Sequence, residues 1–360
     1  MIVEQLALQD FRNYATADVD FPPGLTLVTG RNAQGKTNLL EAVYCLSGLG
    51  SPRSSDARLV REGAEKGYVH GRVRRGERAI EIDLELQPGR GARALMNKSP
   101  IPTTRSLGEV FVAVFFGPDD LLLIKGPPDG RRRFADEMAV KLKPAREGQR
   151  REWERVLRQR NSLLKSAPRG TESGGLRTLE VWDESFCRLG AALAAERLRA
   201  VARAAPFASE LYSLVSGGDS LRLSYESQWL DQVTCEKSLT DPDTVDEDEL
   251  FHSLAASLET VRVKELERGV SLVGPQRDDI VIQLRTQDHD MERDARALAS
   301  QGEQRSAALA LKLAEYELLT EVLRDPPPLL LDDVFSELDE SRRKWLAEGV
   351  RTKGQTIVSS

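Results

Sequence analysis

Cysteine is scarce in this sequence. Of its 360 residues only Cys45, Cys187 and Cys235 are cysteines, far apart and never in a C-x-x-C pair, which excludes a disulfide framework and a thiolate zinc site. Histidine is equally rare: His70, His252 and His289 stand singly, so no histidine-rich metal motif is present. No run of eighteen apolar residues occurs, and the opening MIVEQLALQD lacks the basic start and apolar core of a leader. These absences lead to the expectation of a soluble cytoplasmic protein with no membrane partner. Neither sign of charge dominates, with 51 basic against 57 acidic residues and a net charge of −6, so the sum neither announces nor excludes a nucleic-acid partner. Internal repeats and sustained heptads are missing too.

What is present is the stretch Gly30-Arg31-Asn32-Ala33-Gln34-Gly35-Lys36-Thr37, which fills the phosphate-loop pattern G-x-x-x-x-G-K-S/T. Leu25 to Val28 before it is strand-like, and Asn38 to Leu46 after it is apolar at helical spacing, the context such a loop requires. Its glycines let the backbone aim N–H groups at phosphates beside the positive end of the following helix. Lys36 is the expected partner of the β- and γ-phosphates of ATP, and Thr37 of Mg2+. The plain alternative is a glycine-rich surface turn.

The chain up to Phe116 reads as strands and one helix around a single sheet, with strands at Ile2 to Asp10, Ala17 to Phe21, Leu25 to Val28, Tyr68 to Val73, Ala79 to Leu86 and the apolar run Val110 to Phe116. From Gly130 the texture is helical. Arg131 to Leu164 holds one glycine and one proline, and Leu179 to Leu214 reads as one long helix or two joined near Pro206. Leu221 to Tyr225 is a short strand, and Leu250 to Glu267 a helix stopped by Gly269. Arginines crowd Arg131 to Arg160, either as a phosphate-facing surface or as a solvated helix face. Strand and helix then return: Ile280 to Leu284 alternates, and a helix from Ser300 to about Arg324 carries a Leu309, Leu313, Tyr316, Leu319, Leu323 stripe that predicts one core-facing side. Pro326-Pro327-Pro328 stops it, and Gln355 to Val358 is the last strand. Residues 1–128 and 270–360 are therefore expected to form one split α/β lobe around a helical insert at 129–269.

The apolar strand Leu329-Leu330-Leu331 ends in Asp332-Asp333, the acidic complement of a phosphate loop. Asp332 is the expected Mg2+ partner with Thr37, and Asp333 the carboxylate that orients or activates the attacking water. The alternative is a strand end capped by solvated acids.

Ser300-Gln301-Gly302-Glu303-Gln304 resembles the signature of ABC-type ATPases, 32 residues before Asp332, and Ser336-Glu337-Leu338-Asp339 resembles their D-loop. By itself the pentapeptide would read as a helix cap. Further matches at Leu8, Phe11-Arg12-Asn13-Tyr14, Gly71-Arg72-Val73, Gly117 to Leu121, Arg131 to Phe134 and Gly274 to Asp279 make the whole chain similar to the RecF family of bacterial recombination mediators. That resemblance implies an ABC-type head related to those of SMC and Rad50 proteins, without their long coiled coil. It implies ATP held between two subunits by Gly30 to Asn38 with Arg12 and Asn13 of one chain and Ser300, Gly302, Glu303 and Gln304 of the other. It further implies a weak DNA-stimulated ATPase, binding to double-stranded, gapped and single-stranded DNA, and partnership with RecR and RecO in loading a recombinase at gaps. The alternative for Arg12 and Asn13 is a turn between strands. Asp333 stands where most ABC proteins carry glutamate, Gly117 to Asp120 has no Q-loop glutamine, and Ser359-Ser360 lies where a switch residue is expected. A transporter's nucleotide-binding subunit, a metabolic kinase and a small GTPase are the competing readings, the last weakened because Asn97-Lys98 has no Asp two places on.

Overall fold

The computed structural model describes residues 1–31, 34–53, 58–166, 175–286 and 289–360. They form two compact units, one of Met1–Leu121, Leu211–Gly218 and Ser300–Ser360, the other of Leu122–Glu210 and Asp219–Ala299.

The first unit holds two sheets where the sequence suggested one. Ile2–Phe11 pairs antiparallel with Tyr14–Asp20 and with Gly67–Arg75, and the sheet continues through Arg78–Gln87, Gly91–Met96 and Ser99–Pro100. A separate parallel sheet has the order Leu25–Val28, Thr356–Ser359, Leu329–Asp332, Val114–Phe116. Alternation sorts them: Gly67–Arg75 buries every second residue, as a strand with one wet face does, whereas Leu329–Asp332 is buried throughout. Only the last three residues of the run Val110 to Phe116 are strand; Phe111, Val112 and Ala113 are buried but outside the ladder, and Val110 is half-buried. The side chain of Gln355 ties the sheets together, accepting from Val3 N–H at 2.8 Å and donating to Val3 C=O at 2.7 Å.

Helix Lys36–Cys45 is buried from Leu39 to Cys45, with residues of both sheets in the same core. Gly71 lets it in close, because a Cβ there would lie 2.3 Å from Leu46. Helix Gln301–Leu323 is also buried on more than the predicted stripe: Ala307, Ala310, Leu311, Ala314 and Leu318 are buried away from it, so the stripe understated its burial. It ends at Arg324 in a left-handed cap before the three prolines.

In the second unit, helices Pro128–Leu142, Glu147–Ser166 and Glu247–Arg268 accompany the helix Gly175–Ser216 as far as Glu210, its last turns being counted with the first unit; the helix runs through Pro206 without a break. Asp279–Thr286, grouped by sequence with the C-terminal part of the α/β lobe, pairs here with Ser220–Glu226 and His289–Asp294. Its apolar residues Ile280, Ile282 and Leu284 stand opposite Tyr225, Leu223 and Leu221, a partner face that alternation alone cannot name.

Candidate nucleotide-binding site

The strand Leu25–Val28 feeds the loop and Gly35 closes it as the N-cap of helix Lys36–Cys45, with φ 101°. That left-handed conformation suits glycine, and a Cβ would sit 2.7 Å from the Asn13 amide. Asn32 and Ala33 lie outside the described residues. Lys36 Nζ donates to the carbonyls of Gly30 at 2.6 Å and Arg31 at 3.2 Å, so the ammonium sits inside the loop's curve. Three side chains from the first hairpin and the helix hold the loop from behind. Asn13 Nδ2 donates to Gln34 C=O at 3.2 Å, Asn38 Nδ2 donates to Asn13 Oδ1 at 2.8 Å, and Tyr14 O–H donates to Gly35 C=O at 3.1 Å. Partial burial pushes the Tyr14 pKa up, which keeps that donor protonated.

Arg12 is placed differently from a phosphate contact. Its guanidinium makes a two-pronged bond to Glu41, at 2.8 and 2.7 Å, and donates to Arg58 C=O at 2.9 Å. Glu41 is fully buried within an apolar helix, and Arg12 is its counter-ion. Ser51 also donates to Glu41. Sequence reasoning missed Glu41, though a lone acid inside an apolar helical run was the available signal.

The parallel sheet carries the acids to the loop. Asp332, 3% exposed, accepts from Thr37 O–H at 2.8 Å, joining residues 295 positions apart. Asp333 follows, exposed, with φ 51° and its carbonyl accepting from Ser336 O–H at 2.8 Å. The hydroxyl of Thr37 and the carboxylate of Asp332 are hard oxygen donors side by side, a set that suits Mg2+. Among the described residues no group of three or more His, Cys, Asp or Glu could hold a metal, so these two would share an ion with the phosphates.

Ser300 caps helix Gln301–Leu323 in a reciprocal box: Ser300 N–H donates to Glu303 Oε2 at 2.6 Å, and Glu303 N–H to Ser300 Oγ at 3.3 Å. The cap reading of this pentapeptide is thus realised, on an exposed helix N-terminus that also favours anions. Gln304 is buried, 5% exposed. A Cβ on Gly302 would stand 3.3 Å from the Arg342 guanidinium, which itself bonds Asp339 at 2.6 Å. Arg342 therefore lies between the signature and D-loop segments. Between them and Gly117–Leu121 lies a mostly apolar cleft of about 230 Å³, bordered by Arg305, Ala308, Asp333 and Leu338.

Two other matched segments, both in the second unit, serve each other. Arg131 grips Asp279 through two bonds at 2.8 and 2.7 Å, and Arg132 donates to Asp278 C=O at 2.7 Å. Asp278 is buried, accepts from Tyr225 O–H at 2.7 Å and Trp229 N–H at 3.0 Å, and burial raises its pKa to about 6 against the pull of Arg197 and those donors. Further along the basic run, Arg160 is buried among Asp183, Glu265 and Ser271. Arg131, Arg150 and Arg160 are thus paired with acids instead of waiting for phosphates.

Residues 2–360 match the family model of the RecF/RecN/SMC N-terminal domain. A Streptomyces avermitilis protein named DNA replication and repair protein RecF is 44% identical over 366 residues, covering 100% of this chain and 93% of the relative. A Beutenbergia cavernae protein of the same name is 43% identical, covering 100% and 94%. The solved structure of the recombination mediator protein RecF with ATP in the RecFOR pathway shares 28% identity and a TM-score of 0.87, over 99% of this chain and 91% of that one. An Smc head bound to the C-winged helix domain of ScpA has 16% identity and a TM-score of 0.54, over 99% and 89%, a likeness of fold.

Proposed function

This chain belongs to the RecF family of DNA replication and repair proteins within the SMC and ABC-type ATPases, and from that premise we propose that it is an ATP-driven switch on DNA. The observation that supports the reading is the Thr37–Asp332 hydrogen bond, which brings the loop, its helix and the acidic strand end together where Mg2+-ATP would sit. Gly30 to Asn38 cradle the phosphates, with Lys36 neutralising the β- and γ-phosphates and Thr37 and Asp332 holding Mg2+. A bound Mg2+ would supply charge neutralisation to the phosphates. Asp333 orients the attacking water and accepts its proton as the oxygen bonds to the γ-phosphorus and the bond to ADP breaks. Arg12 and Asn13 act on the nucleotide through the loop, by the bonds to Glu41, Gln34 and Asn38.

The loop covers only one side of a triphosphate. Ser300, Gly302 and Glu303 of a second copy supply the other, with the buried Gln304 behind them instead of at the phosphates, the Ser300 cap opening to offer its hydroxyl and first-turn N–H groups to the γ-phosphate. ATP thereby joins two chains, the joined form binds duplex and gapped DNA, and slow DNA-stimulated hydrolysis releases it. With RecR and RecO, such a switch helps place a recombinase at single-strand gaps. Relatives solved with ATP in the RecFOR pathway support this reading. A gel shift with gapped duplex tests it: ATP promotes binding by the wild type, and Lys36→Met removes that ATP-dependence. Equal binding with and without ATP in both proteins would sink the proposal.

A further inference from the structure

The hydroxyl of Ser359 lies where the two acidic residues meet. Ser359 ends the strand Thr356–Ser359 and is 1% exposed, with Asp332 as its register partner on one side and Val28, two residues before the phosphate loop, on the other. Its O–H donates to Asp332 Oδ1 at 2.7 Å, the oxygen that Thr37 also reaches. Its Oγ accepts the peptide N–H of Asp333 at 3.1 Å, and its own carbonyl shares that N–H at 3.3 Å. A hydroxyl has one proton and two lone pairs, so a proton committed to Asp332 turns a lone pair toward Asp333. Asp333 needs such a hold, because φ 51° is a backbone region that residues other than glycine keep only when neighbours enforce it.

We propose that Ser359 is a positioning residue for ATP hydrolysis: one hydroxyl registers Asp332, on the Mg2+ side, and Asp333, on the water side, against each other. The proposal rests on the assignment of Thr37 and Asp332 to Mg2+ and of Asp333 to the attacking water. With the proton of Thr37 and the proton of Ser359 both on one oxygen of Asp332, the carboxylate is fixed in rotamer and remains an acceptor suited to a cation. The N–H bond at Asp333 sets where the second carboxylate starts. Without the hydroxyl, Asp333 N–H keeps only the longer bond to the carbonyl, and Asp332 keeps only Thr37. These bonds run only between Ser359 and the two acids, so affinity in the absence of metal is expected to hold.

The test uses the full chain with Ser359→Ala, Ser359→Cys and Ser359→Thr, reading steady-state hydrolysis together with equilibrium binding of a fluorescent ATP analogue titrated with Mg2+. Ser359→Ala is expected to lower kcat roughly tenfold with KM within about twofold, and to raise the Mg2+ midpoint several-fold while metal-free binding holds. Ser359→Cys keeps the volume but weakens both bonds, and should behave the same way even if the alanine variant folds poorly. Ser359→Thr retains the hydroxyl and recovers most of kcat. At saturating Mg2+, where the Asp332 effect is masked, the alanine change in an Asp333→Asn background should cost less than about twofold more in kcat, since the carboxylate it positions on the water side is already gone. An unchanged kcat and Mg2+ midpoint, or an equal loss in both backgrounds, would overturn the proposal. A wild type that binds Mg2+-ATP without hydrolysing it would instead remove the role given to Asp333, and the Mg2+ titration would still decide what Ser359 does to Asp332.

Discussion

Replacing Gly35 by alanine puts a methyl group where the structure has none to spare. The residue holds φ 101°, a left-handed conformation that costs an L-residue about 1–2 kcal/mol. The new Cβ would meet both terminal atoms of Asn13 at 2.7 Å and the Tyr14 ring at 3.0 Å. Asn13 can swing away only by giving up its bonds to Gln34 C=O and Asn38, about 0.5–1.5 kcal/mol each. Together these come to about 2–5 kcal/mol set against the loop's phosphate-ready shape, or a loss of ATP affinity of roughly 30- to 3,000-fold at 1.4 kcal/mol per tenfold. Titration of a fluorescent ATP analogue measures it. In an Asn13→Ala background the Asn13 clash and its lost bonds are removed, so the same glycine change should cost mainly the backbone strain, with the Tyr14 contact remaining, about tenfold. Binding by Gly35→Ala within threefold of wild type would show that Asn13 and the left-handed cap do not shape this loop.

Other changes reach beyond the loop. Arg160→Met leaves Glu265, itself fully buried, without its counter-ion, and is expected to cost about 3–5 kcal/mol of stability in urea unfolding. Adding Glu265→Gln should restore part of it, and a loss under about 1 kcal/mol would contradict the buried pairing. Asp278 makes stability depend on pH. Its folded pKa of about 6 lies above the ordinary carboxylate value of 3.8, so the second unit is favoured where the acid is neutral in both states and loses up to about 3 kcal/mol as pH rises from 4 through 6. Asp278→Asn should flatten that window in melts taken from pH 4 to 7.5; an unchanged pH profile would refute the assignment. DNA binding carried by phosphate contacts should weaken steeply with added salt, and a flat response would refute an electrostatic interface.

The local chemistry was legible because it is written in local sequence. Gly30 to Thr37 fixes a strand–loop–helix, and Leu329 to Asp333 announces a buried strand ending in acids; the structure puts Thr37 and Asp332 in hydrogen-bond contact. The helix from Ser300 followed from its cap and its proline stop. Pairing across long distances was not legible. Alternation in Ile280 to Leu284 says strand but not that Leu221 to Tyr225 will face it, and the first hairpin says β without saying that its sheet is separate from the loop's. Arg12 is the instructive case. An arginine near a phosphate loop invites a phosphate role, yet the acid it serves, Glu41, is buried in the next helix and is revealed as its partner only when the chain folds. Ser359 was visible only as a residue in place of an expected switch, and its two bonds to the acids come from the neighbouring strands.

The central claim is that half a site becomes whole when two chains meet. Light scattering on the 40.0 kDa chain with Mg2+-ATP measures this directly. Wild type should double in mass on adding ATP, and Lys36→Met should remain a monomer. Ser300→Arg should also remain a monomer while still binding the fluorescent analogue. A wild type that stays at one chain's mass with ATP bound, or a Ser300→Arg variant that dimerises as readily as wild type, would contradict the account.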